Sequence, residues 1–173
     1  MSFKFEMDKN ELKEILSSVD EDMANLREVL TLQLGADLAG LIRNRVGKGI
    51  GSDDAQMKSP SKNSIGTYSS EYASYRESRG RNTDIRDLSM TGRMMGGITV
   101  AGPFVSDGVT YVNITFAGGP EIMARATYNE TMSPFFGISP RDNETLNQAL
   151  TLYVEDFLTN EGEGKNDSKP RRR

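Results

Sequence analysis

A chain of 173 residues with neither histidine nor cysteine has few reactions open to it. Without imidazole, the Ser-His and Cys-His nucleophile pairs are excluded, and so are imidazole-held zinc sites. Without thiols, disulfide staples and thiolate metal sites go as well. Carboxylates, lysine and tyrosine remain. Asp53, Asp54, Asp84 and Asp87 lie close enough along the chain to be weighed as an acid-base set for a hydrolase, but only their proximity in sequence supports them. The expectation is a protein that is not an enzyme and uses neither cofactor nor metal.

The side chains with a more distinctive arrangement are aromatic and cationic. In "YSSEYASYRESRGR", Tyr68, Tyr72 and Tyr75 stand at i, i+4 and i+7, which places three phenol rings on one helical face. Arg76, Arg79 and Arg81 follow, with Arg86 and Arg93 further on. Tyrosine and arginine together suit a protein interface, as flat contact area and multi-donor charge. They equally suit bases stacked on rings with phosphates on guanidinium groups. A short amphipathic helix that tucks its tyrosines against the core, hydroxyls in water, would leave the same pattern.

Charge is divided along the chain. Residues 1–42 carry 4 basic and 9 acidic side chains, residues 43–93 carry 10 and 6, and residues 94–173 carry 7 and 10. The middle alone is net basic, which favours contact with a polyanion or with the acidic parts of neighbouring copies. At 36% apolar content the chain can bury one core, so a single domain is expected over 1–159, with a charged, disordered tail over 160–173. No apolar run is long enough to span a bilayer, and "MSFKFEMDKNELKE" is too charged for a signal peptide, so a soluble protein without membrane contact is expected.

The elements that must position the tyrosines and arginines can be read from periodicity. Asp8 and Glu11 have capping-box spacing ahead of a helical apolar series running from Leu12 through Met23, Leu26, Val29, Leu30, Leu34, Leu38 and Ile42 to Val46. This predicts one long helix, or two with a kink near Ser17-Ser18 or Gly35, ending at Gly47-Lys48-Gly49. Residues 47–67 read as a flexible basic loop that gains order on assembly. "GKGIGS" within it lacks the order of a phosphate-binding loop and follows a helix where that motif needs a strand. From Ile98 the period changes to two: a strand, turn residues in "GPFVSDG", and a second strand over Val109–Phe116 predict a hairpin. Pro120 opens another helix. Ser139, Pro140 and Asp142 mark the start of the last one, whose buried face should comprise Leu146, Ala149, Leu150, Tyr153, Val154, Phe157 and Leu158. The fold class is therefore α+β: long N-terminal and C-terminal helices packed on a small antiparallel sheet containing a hairpin, with a long basic loop.

The segment "DLSMTGRMMGGITV" joins helix and sheet. Asp87 is expected to cap a helix that begins at Leu88, Thr91-Gly92 to let another segment approach closely, and Gly96-Gly97 to release the chain into the hairpin.

This segment, preceded by "YSSEYASYRESRGR" and followed by "FFGISPRDNETL", resembles the virion-morphogenesis and tail-completion proteins of tailed bacteriophages, the small head-tail joining or neck proteins. The resemblance spans roughly 38–158. It departs from the family pattern at Met132, Ser133 and Pro134, where an arginine is usual. It implies a structural virion protein, forming a ring of six copies, or twelve, at the head-tail junction or the upper end of the tail tube. Its implied partners are itself, neighbouring neck, head-closure or tail-tube proteins, and DNA passing through the channel. The implied location is the virion, and the host cytoplasm during assembly. On this reading Tyr68, Tyr72, Tyr75, Arg76, Arg79, Arg81, Arg86 and Arg93 face a subunit boundary or the channel, and replacing Arg76, Arg79 and Arg81 leaves the monomer folded. The alternative is a stand-alone nucleic-acid-binding α+β protein using residues 68–93.

Overall fold

The computed structural model of the chain describes residues 9–58 and 68–164, and side chains within 20–58 and 68–159. Helix α1 runs unbroken over Lys9–Gly47, so neither Ser17-Ser18 nor Gly35 breaks it. Short α2 (Ser70–Glu77) and one-turn α3 (Arg93–Gly96) precede an antiparallel hairpin of β1 (Ile98–Ser106) and β2 (Val109–Phe116). Helices α4 (Pro120–Met132) and α5 (Pro140–Gly164) complete an α+β architecture. The Asp8-Glu11 cap, the side chains of Leu12 to Val19, residues 59–67 and the last nine residues lie outside the described ones.

The hairpin lies along α1, because Arg43 donates to the carbonyls of Met95 and Ile98 at its base while Arg27 donates to the carbonyl of Gly108 at its tip. Gly35 makes the close approach possible: a Cβ there would sit 2.6 Å from Val112 Cγ2. The helix accepts a poor helix former, at a cost of about 1 kcal/mol relative to alanine, in return for sheet contact. Only Asp107-Gly108 forms the tight turn, both residues having positive φ as a two-residue hairpin loop requires. Gly102-Pro103, expected in the turn, instead sits inside β1 at a register shift between Ala101 and Phe104. Proline has no amide to give the ladder and is tolerated at such a bulge.

Helix α5 packs against α1 rather than on the sheet, which corrects the expected arrangement. Tyr153 donates to Asp37 at 2.7 Å, and Phe157 lines a groove with Leu26 and Leu30 of α1. Its expected apolar face is half-buried, except that Leu158 is exposed. The Ser139 start is realised in full: the Asp142 amide donates to Ser139 Oγ and the Ser139 amide to Asp142 Oδ2, both at 3.1 Å.

The core gathers where the C-terminal end of α1 meets the base of the hairpin, with Ile42, Val46, Met94, Met95, Ile98, Phe116, Ile122 and Phe135 in one buried cluster. Met57 joins it, so the first part of the expected loop is not loose. Residues 47–58 fold into a turn held by an Ile50–Gln56 bridge and by the Ser52 amide donating to the carbonyl of Pro134.

Candidate interaction site: a tyrosine and arginine cleft

Beside this core, α2, the segment 86–94 and α4 enclose a cleft of about 560 Å³. Tyr68, Tyr72 and Tyr128 contribute rings, Arg76, Arg86 and Arg125 contribute cations, and Leu88, Met94 and Ile122 give it an apolar floor.

The three tyrosines of the sequence motif do come together. Tyr68 and Tyr72 meet edge to face with centroids 5.1 Å apart, and Tyr72 and Tyr75 are 6.1 Å apart. The five arginines divide into two groups. Arg79, Arg81 and Arg93 are exposed, with Arg79 over the Tyr75 ring at 5.5 Å. Arg76 and Arg86 are only 1% and 2% exposed, which corrects the expectation that Arg76 serves a surface alone.

Arg76 pairs with Asp87 through Nη2 and Oδ1 at 2.7 Å, donates from Nε to the carbonyl of Asn82, and lies 4.3 Å over the Tyr68 ring. Asp87 also accepts from the Tyr68 hydroxyl and from the amide and hydroxyl of Ser89. Burial pushes the Asp87 carboxyl up. The Ser89 hydrogen bonds, the Arg76 cation and the Tyr68 hydroxyl outweigh it and hold the group below the usual carboxylate range. Tyr68 is pushed up to about 12, first by burial and then by the neighbouring Asp87 charge.

Asp87 is thus the anchor of α2 rather than a helix cap. No helix begins at Leu88, whose φ is +51°, and the next helix starts only at Arg93. Gly92, at φ +70°, supplies a left-handed residue ahead of α3 and has nothing near its missing Cβ. The close approach expected at Thr91-Gly92 occurs instead at Gly97, where a Cβ would lie 2.7 Å from the carbonyl of Ala117. Gly96-Gly97 does lead directly into β1, as expected.

Arg86 is held differently. It donates to the carbonyl of Lys58 and, from Nη2 at 2.8 Å, to Asn129 Oδ1. Among the described residues no carboxylate pairs with it. Burial pulls its pKa down, because the cation loses water and gains only neutral acceptors.

Sequence reasoning missed one further cation. Arg45, 7% exposed, sets its Nε 3.2 Å from Asp142 Oδ2 and donates to the carbonyls of Gly51, Phe135 and Gly137, tying α1 to the start of α5. Nothing in its local spacing signals this, since all its partners are in other segments.

The acid-base set does not assemble. Asp53 accepts from its own turn at Ala55, Asp54 accepts from the Arg141 amide, Asp84 is exposed on its own loop and Asp87 is paired with Arg76. Among the described residues no cluster of three or more acidic side chains could hold a metal ion, and no helix is long and apolar enough to cross a membrane. No protein family, curated protein or solved structure matches the chain.

Proposed function

We propose that this chain is a structural subunit of a tailed-bacteriophage virion, assembling into a closed ring at the head-tail junction or the upper end of the tail tube. The observation that supports it most is the unfinished hairpin. Among the described residues no third strand pairs with either edge. Phe104 and Tyr111 stack at 5.6 Å on its outer side, both about 40% exposed, with Val105 and Val109 exposed beyond them. An exposed strand edge with an aromatic pair beside it is a surface suited to another chain. In a closed ring each copy supplies one patch and receives a different one, and the charge division along the sequence suits such a contact. The resemblance to neck proteins sets the expected copy number at six, with twelve as the alternative.

Electron microscopy of the purified chain at rising concentration should show annuli with a central opening. Uniform monomer-sized particles throughout would overturn the reading. The nucleic-acid alternative is weakened because Arg76, one of the five arginines it would use, is buried and already paired with Asp87. It predicts a steep linear fall of log affinity with log salt.

A further inference from the structure

Among the described residues, the cleft contains a cation without a carboxylate, and α1 offers a stripe, acidic at its head and apolar beyond, without a cover. Asp22, Asn25, Val29, Leu32 and Ala36 recur at three- and four-residue spacing, so they lie on one face of α1, and all five are exposed. Val29, expected in the core, is 66% exposed. Glu21, also exposed, adds a second carboxylate at the head of the stripe. Polar Asn25 separates this acidic head from the apolar run of Val29, Leu32 and Ala36.

The cleft offers the complement. Its floor is apolar, and Arg86 lines it with neutral oxygens as its partners among the described residues. A buried cation in that condition gains more from an incoming carboxylate than an exposed one does, because water no longer screens it. The same chain cannot supply the stripe. At about 1.5 Å per residue, Asp22 lies roughly 38 Å along an unbroken α1 from Gly47, and the segment beside the cleft packs near that end, where Gly49 abuts Ile85.

We infer that the cleft is the socket for a second copy of this chain, receiving the acidic head and apolar run of its α1. This rests on the ring reading and specifies its contact: stripe of one copy into cleft of the next. Each copy would give its stripe to one neighbour and its cleft to the other, which makes the contact heterologous and able to close on itself.

Two variants test it in the full chain. Glu21→Lys/Asp22→Lys reverses the head of the stripe at exposed positions, and Tyr72→Glu places a carboxylate within the cleft. Tyr128→Glu, at an exposed cleft position, is the substitute should Tyr72→Glu unfold by circular dichroism. Each variant alone is expected to need about 100-fold more protein to assemble than wild type, the size of effect seen when one partner of a buried charge pair is lost. Mixed in equal amounts they retain one good stripe and one good cleft, so mass measurement should find species containing both variants at a concentration where neither assembles alone.

Wild-type rings together with undiminished assembly of either variant would overturn the socket and leave the ring reading standing. A wild type that never assembles would overturn both. A fluorescent single-stranded DNA 20-mer bound by wild type and by the stripe variant, but not by Tyr72→Glu, with rings intact in all three, would assign the cleft to nucleic acid and overturn the inference.

Discussion

Two stretches of α1 differ in how much of their surface the described residues cover. Near Gly47, Arg45 ties the helix to the carbonyls of Gly51, Phe135 and Gly137 and to Asp142, while Ile42 and Val46 are buried in the core. Around Met23 to Leu32 the helix keeps exposed apolar side chains, and alongside it the hairpin carries an exposed Phe104, Val105 and Val109. One stretch meets its requirement for burial within the chain. The other leaves apolar area of the kind that marks interaction surfaces. Arginine shows the same contrast within a few residues, because Arg76 is internal structure and Arg79 is surface.

The largest expected effect lies at the covered stretch. Arg76→Ala strands Asp87 in the interior and Arg45→Ala strands Asp142, so each should cost about 3–5 kcal/mol in denaturant unfolding, as loss of one partner of a buried pair does. Arg79→Ala and Arg81→Ala, at exposed positions, should stay within about 0.5 kcal/mol. Equal effects from all four would erase the distinction.

Next comes Gly97→Ala. Its new Cβ would press on the carbonyls of Ala117 and Arg93, which belong to backbone and cannot swing aside, so a loss of about 1–3 kcal/mol is expected. Gly96→Ala, with open space around it, makes the control in the same thermal scan.

At the uncovered stretch the expectation reverses. Phe104→Ser combined with Tyr111→Ser should change monomer stability by no more than about 1 kcal/mol, two exposed substitutions together, while lowering the ring fraction seen by light scattering. A large loss of monomer stability with assembly intact would show that the aromatic pair serves the chain's own fold.

The smallest effect is in pH. Asp87 is depressed below 3.8, so its contribution is present above that value and lost as pH falls through the folded pKa. Tyr68 is raised from 10 to about 12, so its contribution is complete below pH 10 and lost as pH rises through about 12. In an alkaline absorbance titration one tyrosine should ionise last. Asp87→Asn, which removes the neighbouring charge, should bring it down, and no change in that variant would contradict the assigned cause.

Much of this could be read along the chain because its causes are local. The length of α1, the Ser139-Asp142 cap, the hairpin and the common face of Tyr68, Tyr72 and Tyr75 all follow from spacing over a few residues. What escaped depended on distant partners. Arg76 and Arg86 look like Arg79 in sequence until Asp87 and Asn129 are folded against them, and Val29 looks like Leu26 until folding buries Leu26 and leaves Val29 exposed. Met57 read as part of a loose loop because its neighbours are polar, yet its own side chain is in the core.

The central claim, that the uncovered stretch is completed by other copies of the chain, is tested most directly by native mass spectrometry of the purified protein across a concentration series. The account predicts that monomer gives way to a single closed species, six copies being the expected count. Monomer alone at every concentration, including those reached in an assembled particle, would contradict it.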